Sequence, residues 1–328
     1  MTDTLLTRCA ETPLRIGTRT STMARAQTDH VVTLITELLP GVSTQVVPIT
    51  VGADRWPGAL TDIGGKVAFS KEIDHALICA QIDLAVHCLK DIPGDVPLAE
   101  GTAFGAYLPR DDVRDVVITR DGVPLADLPA ASRIGTSSVR RRAQLSIHRP
   151  DLRIERIRGN VDTRLDKLDE DGRYAALILA RTSLSRLGLL DRHHEVLPAE
   201  FHPAGEGVVS MVPPVGAGVI ALQARDTDLP VMQLLQHLDH PATAGHVLAE
   251  RTMLRLLRGH CNSPIAGHAC PTGDGRMSLY GMVFNLDGSR FVHAHACGDA
   301  SDPAALGSRV AADLLQQGAG QLIAATHQ

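Results

Sequence analysis

The sequence predicts a multidomain α/β protein, with two similar α/β domains and a smaller α+β domain at the C-terminus. Three observations predict it. The chain has 328 residues, more than one hydrophobic core comfortably serves. Short apolar runs alternate with helically spaced segments through most of its length. A strand–turn–helix signature also occurs twice, as RIGTRTSTMARAQ from Arg15 and as RIGTSSVRRRAQ from Arg133.

Each copy passes from a short apolar run through Gly-Thr and hydroxyl residues into an amphipathic stretch. That is the pattern of a strand, a tight turn and a helix whose first turn carries Ser or Thr. Such a helix start leaves backbone N–H groups unpaired and suited to anions. Between and after the copies, residues 44–51, 83–89, 115–119, 152–157 and 174–180 are apolar or β-branched runs expected as buried strands. Residues 66–81, 160–171 and 181–190 have helical spacing. The Pro- and Gly-rich segment 197–218 reads as a return crossing between the first two domains. Beyond Gly218, helical patterns at 229–238 and 244–258 precede alternating strands at 276–284 and 290–297 and a last helix over 303–316. The expected domains are 1–112 with 215–237, then 113–214, then 238–328.

Composition narrows the function classes. A hydrophobic content of 44% with 21% charged residues is that of an ordinary globular protein. The first 13 residues lack the apolar run of a signal peptide, and no segment reaches the roughly 20 apolar residues of a membrane span. Six cysteines without a CxxC pair read as reduced thiols, so a cytoplasmic protein without membrane contact is expected. A net charge of −5 and 3% aromatics argue against nucleic acid as a partner.

Within that average, residues 139–164 are crowded with arginine. Thr136, Ser137 and Ser138 stand at a helix start, and Arg140 and Arg141 follow with guanidinium forks suited to carboxylate or phosphate. Arg158 closes the next strand, and Arg164 lies in the next helix. Lys90 and Asp91 follow the 83–89 strand, at the edge where open α/β sheets bind ligands. Cys261, in the loop after RLLRG, admits three readings: a small buried hydrophobe, a zinc ligand with His260, His268 and Cys270, or a nucleophile. The zinc reading is the weakest, since His260 and Cys261 are adjacent and His268 and Cys270 lack a matching second pair. His293, His295 and Cys297 alternate on one strand face and read as sheet surface.

The motifs IGTRTSTMA, IGGKVAFSKEID, DLAVHCLKDIP, IGTSSVRRRAQL, RPDLRIERIRGNVDTRLDKLD, ILARTSLSRLGL, PPVGAGVIALQAR and AERTMLRLLRGHCNSPIAG occur in that order from about Leu14 onward. In this set and order the chain resembles the porphobilinogen deaminase (hydroxymethylbilane synthase) family. The resemblance implies two periplasmic-binding-protein-like (type II) α/β domains around a cleft, with a smaller α+β domain. It implies a monomeric transferase of haem and porphyrin biosynthesis that condenses four porphobilinogen molecules into 1-hydroxymethylbilane, releasing ammonia. The product would pass to uroporphyrinogen III synthase. By the same resemblance Cys261 carries a dipyrromethane cofactor through a thioether, no metal is needed, and Asp91 is catalytic. Lys90, Thr136, Ser138, Arg140, Arg141 and Arg164 would face the cofactor. Arg19, Ser21, Arg158 and Arg186 would face the substrate or the growing chain.

Four positions depart from the family pattern. Asp62 replaces a usual lysine, Ala217 a glutamine, and Val113 a proline. The TVGAD stretch at 50–54 lacks an arginine and displaces the aspartate to Asp54. These changes bear on elongation and turnover more than on fold. Two other readings therefore stand beside the enzyme: a divergent paralogue with altered turnover, and a non-catalytic anion-binding clamp. A clamp would need neither Cys261 nor Asp91.

Overall fold

Both RIG signatures build the strand from which a sheet grows in two directions. The computed structural model describes residues 2–56, 65–170, 172–192, 194–203, 205, 207–259 and 263–327. Asp62, His260 and Cys261 lie outside the described residues. The strands described are β1 (Leu14–Arg19), β2 (Thr44–Ile49), β3 (Leu84–Cys88), β4 (Thr102–Tyr107), β5 (Asp115–Thr119), β6 (Arg133–Gly135), β7 (Arg153–Glu155), β8 (Ala176–Ala180), β9 (Glu195–Val196), β10 (Ile220–Arg225), β11 (Ile265–Pro271), β12 (Arg276–Phe284) and β13 (Phe291–Asp299).

The first sheet has the order β2-β1-β3-β10-β4 and the second β7-β6-β8-β5-β9. In each, the signature strand pairs in parallel with a neighbour on either side. A fourth strand then runs antiparallel to both its neighbours. The two sheets therefore match strand for strand. This repeated mixed order is the type II periplasmic-binding-like arrangement, with a smaller three-stranded sheet following it in sequence.

The glycine of each signature is needed for packing. A Cβ on Gly17 would sit 2.2 Å from Ile82 Cδ1, and one on Gly135 would sit 2.6 Å from Leu177 Cδ2. Only a residue without a side chain lets those neighbours close over the strand. Strands β5 and β8 are buried along their whole length, as their unbroken apolar runs foretell.

By contact density the chain forms two compact units, 1–111 with 218–244, and 112–217 with 245–328. The sequence points instead to a separate domain over 238–328. The three-stranded antiparallel sheet β11-β12-β13 does have its own core. One face packs Leu279 and Val283 against Ala249 and Met253 of helix Pro241–Leu256 and against Val310 and Leu314 of helix Pro303–Gln316. Its other face buries Ala266, Met282 and Phe284 against Ala143 and Val212. That second core ties the sheet to helix Val139–His148 and places it in the same unit.

Several elements escape the sequence pattern. β4 (TAFGAY) and β11 (IAGHACP) are rich in Ala and Gly and have no β-branched run. The sequence reading assigns no element to the segment that β11 occupies. The expected helix over 66–81 is a 3₁₀ turn, Gly65–Phe69, followed by helix Lys71–Ile78. An N-terminal helix, Thr2–Glu11, docks by Leu5 and Cys9 and by an Arg8–Asp228 ion pair at 3.0 Å. Among the described residues, no helix is long and apolar enough to cross a membrane.

Candidate active site

In the first unit, two parallel strands end side by side and deliver opposite charges. β1 ends at Arg19, and β3 runs into a single 3₁₀ turn, Leu89–Asp91, that holds Lys90 and Asp91. Arg19 Nη1 lies 3.8 Å from Asp91 Oδ2. Arg19 Nη2 donates to Asp54, and the guanidinium carbon lies 4.5 Å from the centre of the Phe69 ring. Three groups thus fix one guanidinium, while the Asp91 side chain stays 33% exposed. Ser21 caps helix Thr22–Leu38, its Oγ accepting from the Ala24 N–H at 3.3 Å. Lys90 is half-buried in the same turn as Asp91.

Behind this edge lies a polar network that the sequence reading misses. His87, in β3, is 4% exposed, and its Nε2 lies 2.8 Å from Gln223 Oε1. Gln223 Nε2 donates to Asp74 Oδ1 at 2.9 Å and to Thr102 Oγ1 at 2.8 Å. Burial lowers the His87 pKa, opposed by the charge of Asp74 and helped by that of Arg19. The available signal was one histidine and one glutamine in otherwise apolar strands.

In the second unit, the hydroxyl-rich turn serves first to start a helix. Ser138 caps helix Val139–His148, its Oγ accepting from the Arg141 N–H at 3.3 Å. Thr136 Oγ1 accepts from the Ser138 N–H at 3.3 Å, and Ser137 Oγ donates to the Ile157 carbonyl.

Arg140 and Arg141 differ from expectation. The sequence presents both forks to an anion from outside the chain, whereas the structure turns both onto Asp115. Arg140 Nη2 bonds Asp115 Oδ2 at 2.5 Å, and its Nη1 bonds the Val212 carbonyl at 2.6 Å. Arg141 bonds Asp115 in bidentate fashion, at 3.1 and 2.7 Å, and the Ile178 carbonyl at 2.9 Å. The three side chains are 6, 11 and 2% exposed, so a counter-charge from the chain itself is required. Although burial opposes it, the charges of the two arginines hold the Asp115 carboxyl down at about 2. Asp115 reads in sequence as the first residue of a strand. A charge opening a wholly buried strand was the signal for this partner.

Arg164, on helix Val161–Glu170, is only partly buried and donates from Nε to the Gly159 carbonyl at 2.8 Å. Burial, then the charges of Arg141 and Arg158, lower its pKa to about 10. Arg158 follows β7, its own pKa lowered by burial and by Arg156. Arg186 ends helix Arg181–Arg186. The balance around Arg164 is positive, which is the chemistry that suits a polycarboxylate.

The sequence matches the family model "Porphobilinogen deaminase, dipyromethane cofactor binding domain" over residues 14–233. It matches the model "Porphobilinogen deaminase, C-terminal domain" over residues 244–316. It is 46% identical over 310 residues to "Porphobilinogen deaminase 2" of Streptomyces coelicolor, covering 94% of this chain and 96% of that one. It is 43% identical to "Porphobilinogen deaminase" of Desulforudis audaxviator with the same coverages. Among solved structures, the BvgS VFT2 domain of Bordetella pertussis aligns with a TM-score of 0.38 and 13% identity, over 70% of this chain and 88% of that one. Since two adjoining family models and relatives of matching length agree along the sequence, the chain belongs to the porphobilinogen deaminase family.

Proposed function

We propose that Asp91 is the catalytic carboxylate of this deaminase and that the arginines of both units neutralise its anionic ligands. The reaction of the family condenses four porphobilinogen molecules head to tail into 1-hydroxymethylbilane, with loss of ammonia, in tetrapyrrole biosynthesis. When bound, the dipyrromethane cofactor supplies the pyrrole carbon to which the first substrate is joined. Positive charge develops on the substrate pyrrole as ammonia leaves. A fixed carboxylate at Asp91 stabilises that charge and accepts hydrogen bonds from pyrrole N–H groups.

Arg19, Ser21, Arg158 and Arg186 take the carboxylates of the substrate and of the growing chain. Lys90, Thr136, Ser138, Arg140, Arg141 and Arg164 hold the cofactor. The Arg140–Asp115–Arg141 group carries one net positive charge, so it attracts an anion while remaining fixed to the chain. Cys261, matching the family's G-x-C-x-x-P-I loop, is the attachment point. The same reading keeps the division into 1–112 with 215–237, 113–214 and 238–328, the last part carrying Cys261. It also makes the protein a cytoplasmic monomer whose product is consumed by uroporphyrinogen III synthase.

The observation that best supports this reading is the partly exposed Asp91 carboxylate at the end of β3, 3.8 Å from the Arg19 guanidinium. Intact-protein mass measurement tests it. The purified protein should carry two pyrrole units, and adding porphobilinogen should produce a ladder of heavier species. Cys261→Ser should remain folded without the two-pyrrole mass and without activity. An adduct that survives Cys261→Ser overturns the attachment, and a wild type with no adduct and no activity overturns the function.

A further inference from the structure

The Nε–H of Arg19 is buried and has no hydrogen-bond partner among the described residues. A buried donor left unmatched bears its full desolvation penalty, so its surroundings should contain an acceptor. The strand register shows where to look. β1 and β3 run parallel with Ile16 beside Leu84 and Gly17 beside Ala85. Extended two residues beyond those pairs, the register brings Arg19 alongside His87 on the same face of the sheet, and the Arg19 charge does act on that imidazole.

The network on the other side of β3 fixes the state of that histidine. The Asp74 carboxylate can only accept, so the atom of Gln223 that faces it is the amide nitrogen. Thr102 Oγ1 donates to the Ala99 carbonyl at 2.7 Å, which leaves it to accept from the same nitrogen. Gln223 Oε1 must then accept from His87, whose Nε2 carries the proton. Nδ1 is left as a lone-pair acceptor. β10, which carries Gln223, and β1, which carries Arg19, flank β3 on opposite sides. The two nitrogens of an imidazole point in roughly opposite directions. With Nε2 turned toward β10, Nδ1 turns toward β1.

We propose that His87 is a positioning residue of the substrate site, a neutral imidazole whose Nδ1 accepts, through one bridging water, the hydrogen bond of Arg19 Nε–H and so holds that guanidinium beside Asp91. This rests on the assignment of Arg19 and Asp91 to the substrate. Burial and the Arg19 charge both favour the neutral ring that the role needs. Gln223 and Asp74 act one step further back by setting the tautomer. Arg19 then has Asp54 at Nη2, Asp91 near Nη1 and Phe69 under its plane, with His87 reached from Nε through the water.

Two substitutions separate this role from core packing. His87→Gln places an N–H where Nε2 stood and keeps the bond to Gln223, but it removes the Nδ1 acceptor. His87→Asn does the reverse, offering an oxygen near the Nδ1 position and abandoning Gln223. Cofactor loading is checked by mass, melting temperature by calorimetry, and kcat and KM by hydroxymethylbilane formation. His87→Gln should melt close to wild type and lose at least tenfold in kcat/KM, mainly through a raised KM, because Arg19 serves substrate binding. His87→Asn should melt lower yet stay within about threefold of wild-type kcat/KM. If the losses of kcat/KM follow melting temperature, or if His87→Gln retains wild-type kinetics, His87 is only a core residue. A wild type that forms no hydroxymethylbilane would overturn the functional reading instead, whatever the variants do.

Discussion

The carboxylate of Asp91 stands 3.8 Å from the Arg19 guanidinium and remains one-third exposed, so it can meet a ligand without leaving its turn. Arg19 is itself shared with Asp54, whose position departs from the family pattern. Charge at Asp91 should matter more in the transition state than in substrate capture. Asp91→Asn should carry the cofactor, bind porphobilinogen nearly normally and lose at least about a hundredfold in turnover, the scale of one electrostatic group. Asp91→Glu keeps the charge, displaced by one methylene, and should retain more turnover than Asn. The measurement is hydroxymethylbilane formation, read as uroporphyrin after oxidation, on protein whose loading is verified by mass. If Asn is the more active, charge is not the operative property of Asp91.

Among the elements, β5, β8 and helix Val139–His148 are joined by one buried carboxylate. Asp115 opens β5, and Arg140 and Arg141 come from the helix. Arg141 also reaches the Ile178 carbonyl in β8. The folded value of Asp115, about 2, lies below the ordinary aspartate value of 3.8. A depressed carboxyl stabilises the fold fully above the unfolded value, and that contribution disappears as pH falls toward the folded value. Melting temperature should therefore fall between about pH 4 and pH 2, and more steeply in wild type than in Asp115→Asn. Other paired carboxylates also titrate there, so the expected difference is in slope. Equal slopes would remove Asp115 from the acid response. This element also marks how far the sequence could be read. The strands and helices around both RIG signatures were legible because their apolar runs and hydroxyl caps are local signals. The destination of Arg140 and Arg141 was not, because Asp115 lies 25 residues upstream of Arg140 and only the tertiary fold brings it there. The His87–Gln223 contact spans 136 residues and was hidden in the same way. β4 and β11 escaped because Ala and Gly carry little strand signal of their own.

At the scale of the molecule, the repeated sheet supplies two strand-edge sites of opposite electrostatic character. The first pairs its cation, Arg19, with Asp54 and Asp91. The second gathers Arg141, Arg158 and Arg164 while spending a single buried carboxylate on two guanidiniums. Like charges gathered in a partly buried cluster repel one another. Burial and the charges of Arg141 and Arg158 lower the Arg164 pKa to about 10, so the group stays charged at neutral pH but holding that charge costs the folded chain stability. For a base with a depressed value, that penalty is present below the folded pKa and is relieved as pH rises past it. Removing the charge should therefore help the cofactor-free protein and harm the loaded one. In a Cys261→Ser background, which blocks attachment, Arg164→Gln should raise the melting temperature by a few degrees, 1 kcal/mol being worth roughly 2–4 °C in domains of 150–250 residues. With Cys261 intact, the same substitution should reduce the fraction of protein carrying the two-pyrrole mass. Calorimetry and intact mass read the two effects separately. If Arg164→Gln lowers the melting temperature of the cofactor-free protein, the arginine is balanced by the chain itself, and the cluster was built for packing rather than for anions.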